Sequence, residues 1–405
     1  MRTTDWKYRT ILFLISQNIS LFGSLLVQYA IIWHITLETQ SGSVMTISIL
    51  CGFIPTFLVS PFAGVWADRF DRRRLIVLSD ALIAVATLGM AIFFHLGQEE
   101  LWQMFAVLAV RSFGTGIQTP AVHAILPQIV PSDKLMRVNG INSSTLSVVN
   151  IISPLAGGAL LSMLPMEAIF LIDVGTATLA IFILVFLLKI PSHVEGVEME
   201  KIDYLQDLKE GFAYIGSHRF IKILFTFCGL YFVMVAPAAF LSPLQVARSY
   251  GEDVWRLSAI EAAFSAGMVL GGLLVATWGG FRNRIRTMGT SLLVFGTFVF
   301  LIGFIPPFWL YLACMVLLGI SMPLFNSPFT VLLQQRVDSR YMGRVFSVFG
   351  MLSSSVMPMA MLVFGPLSDS IPIEWLMLTS GVAIVAIGVG MLLDTRLLKE
   401  GLPDA

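Results

Sequence analysis

Residues 287–335 read TMGTSLLVFGTFVFLIGFIPPFWLYLACMVLLGISMPLFNSPFTVLLQQ, a run of 49 residues without one charged side chain. A helix rises about 1.5 Å per residue and the hydrocarbon core of a bilayer is about 30 Å thick, so about 20 apolar residues suffice for one crossing. The run is too long for one crossing and long enough for two, and Pro306 and Pro307 mark the break between them. The same count, carried outward, divides the chain into twelve spans. In the first half they cover 10–37, 39–66, 75–98, 101–127, 138–164 and 168–188, and in the second 223–247, 257–281, 287–305, 308–333, 345–368 and 375–393. Composition agrees: of 405 residues 57% are hydrophobic and 12% charged, about half the charged share of roughly 25% usual in soluble domains. Backbone polar groups in lipid must be satisfied within their own segment, which leaves a helix bundle; a β-barrel would show short alternating segments. The expected fold class is an all-α membrane protein with twelve transmembrane helices. The first run extends 28 residues from Thr10 without a charge, longer than a signal-peptide core, and is expected to remain as the first span.

One long polar segment interrupts the pattern. Residues 189–222 carry Glu195, Glu198, Glu200, Lys201, Asp203, Asp207, Lys209 and Glu210, which divides the chain into a six-helix bundle at 1–188, a linker at 189–222 and a second six-helix bundle at 223–405. Apolar residues at near-helical spacing from Tyr204 to Tyr214 predict a short interfacial helix. Lysines and arginines crowd alternate loops, at Arg2 to Arg9, Arg69 to Arg74, Lys134 and Arg137, Arg282 to Arg286, Arg336 to Arg344, and Arg396 with Lys399. The opposite loops hold Arg248 and Arg256 among acids such as Glu38, Glu99, Glu100, Glu167, Asp369 and Glu374. The positive side is expected to be cytoplasmic, and an even number of spans places both termini there. The halves echo each other at an offset of 207: Val130, Ser132, Arg137 and Val138 align with Val337, Ser339, Arg344 and Val345. Duplicated six-span halves imply pseudo-twofold architecture and a site between them near the bilayer midplane.

Several function classes find no support in the residues. Net charge is zero, so no nucleic-acid partner is expected. Cys51, Cys228 and Cys314 all lie in apolar runs, and the five histidines, at 34, 95, 123, 193 and 218, show no metal spacing. No phosphate-binding Gly-x-x-x-x-Gly-Lys-Ser/Thr loop is present, so energy is expected from a gradient instead of ATP. No nucleophile with a matching base suggests an enzyme, and no cofactor is expected.

The loop after the second span reads Gly64-Val-Trp-Ala-Asp68-Arg69-Phe-Asp71-Arg72-Arg73-Arg74. It resembles the signature loop of the major facilitator superfamily, Gly-x-x-x-Asp-Arg-x-Gly-Arg-Arg, with Asp71 in place of a glycine. An aspartate there can cap the third span, so the turn need not rely on glycine's backbone freedom. The plainer reading is that the arginines only fix topology. The resemblance implies that Asp68 and the arginines form a cytoplasmic gate that latches in one conformer and releases in the other. Arg111-Ser-Phe-Gly114-Thr-Gly116 lies about ten residues from either end of span 4, and resembles in part the superfamily's Arg-x-x-Gln-Gly-x-Gly motif, without the glutamine. A cation at that depth needs a carboxylate partner and is functional by default, although it could simply tie helices together. Ser153-Pro154-Leu-Ala-Gly157-Gly158 in span 5 resembles the antiporter motif Gly-Pro-x-x-Gly-Gly, which marks export by exchange and whose physical use is close packing around a bend. Gly267 and Gly271 in span 8 read as a packing seam.

Candidate proton-coupling residues are Arg111, Asp173, Asp80 and Glu261. Asp173 lies at a depth that could meet Arg111, where burial and the cation act on its proton affinity in opposite senses. Asp80 sits one turn into span 3 and could anchor the arginine loop or carry a proton. Glu261 begins span 8, near the outer surface. If the resemblance holds, spans 1, 4, 7 and 10 line a cavity, with Gln17, Asn18, Gln28, Tyr29, Tyr231, Met234, Met322, Phe325 and Asn326 as candidate substrate contacts. Methionines and aromatics suit a large amphipathic ligand, and ordinary helix packing would use the same residues. Across nearly its whole length the chain is similar to the drug:proton antiporter, macrolide-efflux-like branch of that superfamily in bacteria, with Thr119-Pro120-Ala121 and Tyr341-Met-Gly343-Arg344-Val-Phe-Ser347 adding to the match. The resemblance implies a monomeric proton-coupled drug exporter of the bacterial cytoplasmic membrane, working by alternating access. Alternatives are an exporter of an endogenous metabolite, such as a siderophore or lipid-like compound, and a non-transporting membrane sensor.

Overall fold

A computed structural model describes residues 5–188 and 204–402, so the acidic linker up to Asp203 lies outside the described residues. The first half contains α1 (Asp5–Thr39), α2 (Gly42–Arg69), α3 (Arg72–His95), α4 (Leu101–Ile129), α5 (Leu135–Met163) and α6 (Met166–Phe182), the last extended by a π turn at Ile183–Leu187. The second holds α7 (Tyr204–Ser217), α8 (Arg219–Phe240), α9 (Ser242–Tyr250), α10 (Val254–Trp278), α11 (Arg284–Ile302), α12 (Phe308–Arg336), α13 (Met342–Ser370), α14 (Ile373–Leu393) and α15 (Thr395–Glu400). The short helix expected at Tyr204 is α7. Span 7 is the joined pair α8 and α9. Pro237 lies just before the break and Pro243 just after it, each removing a backbone donor where the helix would otherwise continue.

Eleven helical stretches of the described residues are long and apolar enough to cross a membrane. The twelfth long helix is α4, 29 residues, whose apolar character is diluted by Arg111, Ser112, Gln118 and His123. The twelve-helix membrane fold stands, and the helix that falls short in apolar character is the one that carries the mid-span cation.

Helix boundaries follow from local chemistry. Asp71, extended at φ −61°, caps α3: its carboxylate accepts from the Arg73 and Arg74 backbone N–H groups at 2.9 and 3.2 Å. Asn283 does the same for α11, and Asp394 for α15. Pro165, Pro307 and Pro372 stand immediately before α6, α12 and α14, where a fixed φ and a missing donor cost nothing. Removing the α3 cap by Asp71→Ala is expected to cost about 1 kcal/mol, read as a lowered unfolding temperature of the purified protein with unchanged helix content. The same melting point in the variant would show that the cap contributes nothing.

The chain forms two compact units, one of Met1–Glu38 with Ile47–Glu198, the other of Thr39–Thr46 with Met199–Ala405. In the first, α3 packs against α4 and α6, and an apolar cluster of Phe13, Ile76, Ile125, Leu126, Val138 and Leu184 closes the end next to the arginine loop. In the second, α11 lies against α12 and α14, and α10 packs on α12. The glycine seam of span 8 serves that last contact: Gly267 meets the backbone of Val316 and Gly319, and Gly271 that of Ile320.

Candidate functional site

The interior of the first unit holds a buried ion pair. Arg111 of α4 and Asp173 of α6 are 6% and 0% exposed, and Arg111 Nη1 lies 2.5 Å from Asp173 Oδ2. Both terminal guanidinium nitrogens and both carboxylate oxygens are engaged. Arg111 Nη1 also donates to Thr87 Oγ1 on α3, and Nη2 donates to the Ser24 carbonyl of α1 at 2.9 Å. Asp173 Oδ2 accepts from Thr87 Oγ1 at 3.1 Å, and Oδ1 from Ser24 Oγ at 3.4 Å. Four helices thus meet on one guanidinium and one carboxylate. Single ions in such a place would be very costly, and together they are tolerated because their hydrogen bonds are satisfied.

The glycines after Arg111 explain how α4 comes so close. A side chain on Gly114 would lie 2.7 Å from Ile83 Cγ1 of α3, and one on Gly116 would strike Val59 and Thr56 of α2. Ser112 accepts from the Thr56 backbone N–H at 3.1 Å. In α5, Ser153, Pro154, Gly157 and Gly158 are all buried. Gly157 faces α1 at Leu26 and Tyr29, and Ser153 Oγ donates to the Val149 carbonyl one turn back.

Asp80 corrects one expectation. It does not meet the arginine loop, because it lies two turns into α3 on a face turned toward α1 and α4. Its Oδ1 accepts from Ser20 Oγ at 2.8 Å and from Gln118 Nε2 at 2.9 Å. The arginines find backbone carbonyls within their own unit instead. Arg72 donates to Ala67 and Ala124, Arg73 to Val185, while Arg69 and Arg74 are exposed and Gly64 is half-buried. The side chain of Asp68 lies outside the described residues. Glu261 is half-buried in the second turn of α10.

The proposed substrate contacts fall into two groups. Tyr231 and Phe325 are each 1% exposed and pack together in the core of the second unit, ring centroids 4.8 Å apart. They occupy core positions, and the Tyr231 hydroxyl is spent on the Met322 sulfur at 3.5 Å. Gln28 and Asn326 are exposed, and Tyr29, Met234 and Met322 half-buried. Gln17 Nε2 and Asn18 Oδ1 are buried without a hydrogen-bond partner.

Ser24, Thr87, Ser20 and Gln118 were not among the sequence candidates. The signal for two of them lies in spacing: Thr87 follows Asp80 by seven residues and Gln118 follows Arg111 by seven, which returns to the same helix face after two turns.

A twelve-helix bundle with a sealed Arg–Asp pair belongs among membrane transporters, and the family is shown by sequence. The Major Facilitator Superfamily model matches residues 11–361, and the chain belongs to that superfamily. It is 30% identical over 387 residues to macrolide efflux protein A of Streptococcus pyogenes, covering 95% of each chain. It is 31% identical over 323 residues to macrolide efflux protein A of Enterococcus faecalis, covering 79% of this chain and all of that one. In fold it is similar to the crystal structure of the nucleoside transporter NupG, with a TM-score of 0.71 at 14% identity over 97% and 98% of the two chains.

Proposed function

We propose that this protein exports macrolide-type or similar amphipathic drugs across the bacterial cytoplasmic membrane in exchange for protons, working as a monomer by alternating access with both termini in the cytoplasm. The observation that carries the coupling is the sealed Arg111–Asp173 pair. The likeness to macrolide efflux proteins over nearly the full chain supports the substrate class.

The mechanism follows from electrostatics. A proton arriving from outside neutralises Asp173, and the Arg111 guanidinium then stands in a dry interior with only hydroxyl and carbonyl partners. That state favours a conformer in which the cation reaches water or a new partner, so protonation shifts the population between the two access states. Substrate binding favours the opposite shift, and the two ligands compete through shared conformers without touching. The arginine loop, with Asp68 and Arg69, serves as the cytoplasmic gate.

Expression in a host stripped of its own pumps tests the substrate class. Macrolides and amphipathic dyes are expected to accumulate less in expressing cells, and a proton ionophore is expected to abolish the difference. Equal accumulation across a broad panel of such compounds, with the protein present in the membrane, would refute the drug-export reading.

A further inference from the structure

The ion pair occupies only one of two polar layers inside the first unit. Asp80 and Thr87 lie seven residues apart on α3, and Arg111 and Gln118 seven apart on α4. Ser20 and Ser24 lie four apart on α1, so the layers are separated by about 10 Å along α3. The outer layer is Ser24, Thr87, Arg111 and Asp173. The inner, nearer the arginine loop, is Ser20, Asp80 and Gln118. Between them Ile83, 3% exposed, is seated against Gly114, an apolar plug between two polar cells.

The two carboxylates are satisfied very differently. Asp173 has a cation and bonds on both oxygens. Asp80 is 2% exposed and has no ion-pair partner among the described residues, while Arg111, in the layer above, is spent on Asp173. Its Oδ1 accepts two hydrogen bonds and its Oδ2, also buried, accepts none. Two further polar atoms on the same helices are buried and unpartnered, Ser79 Oγ on α3 and Gln17 Nε2 on α1. Gln17 lies one turn from Ser20 on α1. A carboxylate in a dry interior requires a positive charge or a proton, and the orphaned Oδ2 is the acceptor on which it would sit. Gln118 is half-buried, which gives the cell a wall reaching the surface of the unit.

From this geometry we infer that Asp80, held by Ser20 and Gln118, forms a second station for a small monovalent cation, a proton or a sodium ion, on the cytoplasmic side of the Arg111–Asp173 pair. The inference rests on the ion-coupled reading above and adds where the coupling ion stops before it leaves. Ile83 holds the inner station apart from the outer one. The charged and titratable groups of the helices around it, α1, α3, α4 and α6, that face the two cells are Asp80, Arg111 and Asp173.

The test uses full-length protein in proteoliposomes, with macrolide accumulation driven by an imposed proton gradient or an imposed sodium gradient, and with macrolide counterflow at no gradient. Asp80→Asn keeps an acceptor oxygen for Ser20 and Gln118, so the fold and counterflow are expected to survive. Gradient-driven accumulation is expected to fall about tenfold or more, and Asp80→Glu to restore part of it. The gradient that drives the wild type, and loses its effect in Asp80→Asn, identifies the ion. Wild-type accumulation by Asp80→Asn, or loss of counterflow together with accumulation and no rescue by Asp80→Glu, would overturn the station. If wild type responds to neither gradient, the coupled-export reading itself fails. If wild type is driven and Asp80→Asn is driven equally, only the inner station falls.

Discussion

Replacing Arg111 with Gln is expected to abolish proton-driven transport and to destabilise the protein by about 3–5 kcal/mol, because Asp173 is left as an uncompensated buried charge. Asp173→Asn is expected to abolish transport as well, with the stranded charge now on Arg111. The double replacement Arg111→Met with Asp173→Leu separates structure from mechanism. Removing both charges and filling the space with apolar atoms restores stability to within about 1 kcal/mol of wild type. It does not restore transport, since the pair through which protonation shifts the conformers is gone, even though Asp80 remains. The measurement is thermal unfolding alongside vesicle uptake for all four proteins. A double variant that is stable and still transports would reduce the pair to a helix tie. One that stays unstable would mean that packing around the pair, not its charge, dominates.

The second large effect is at the α10–α12 seam. A side chain on Gly267 would run into the Val316 carbonyl, and one on Gly319 into that of Phe264, so the two helices approach backbone to backbone. Gly267→Leu is expected to cost about 3 kcal/mol, seen as loss of the monodisperse species in detergent. Gly272, in the same helix, has no atom within 4 Å of the place its side chain would occupy. Gly272→Leu is therefore expected to change stability by less than about 0.5 kcal/mol. Equal behaviour of the two variants would remove the seam from the account of stability. The approach also explains a seam that sequence alone could only describe as small residues in a row: its partner is the α12 backbone, within the same unit.

Much of the fold was legible because it rests on local signals. Charge-free length marks the spans, and Asp71 before three arginines marks a helix start. The pairing of Arg111 with Asp173 could be expected from depth alone, since a mid-span cation needs an anion. Partners across the bundle were not legible. Ser20, Ser24 and Thr87 look like ordinary hydroxyl residues in apolar runs, and many such residues bond only their own helix, as Thr36 does to the Ile32 carbonyl.

Asp369 makes the same point in the second unit. Counted in the sequence only as an outer acid, it accepts from the Gly42 and Ser43 backbone N–H groups at 2.7 and 2.9 Å and so caps the first turn of α2. Arg248 lies 3.4 Å from the same carboxylate. A capping residue more than 300 positions away leaves no local pattern to read. Tyr231 and Phe325, read in the sequence as cavity candidates, are buried against each other in the second unit; aromatic residues at helical spacing produce one pattern whether they line a chamber or fill a core.

Export by exchange for protons is tested most directly in inside-out membrane vesicles given an imposed proton gradient, with a labelled macrolide in the medium. Rapid uptake that collapses on adding a proton ionophore, and that is missing from Asp173→Asn vesicles holding the same amount of protein, is the expected result. Uptake that ignores the gradient, or that proceeds at the wild-type rate without the Asp173 carboxylate, would contradict it.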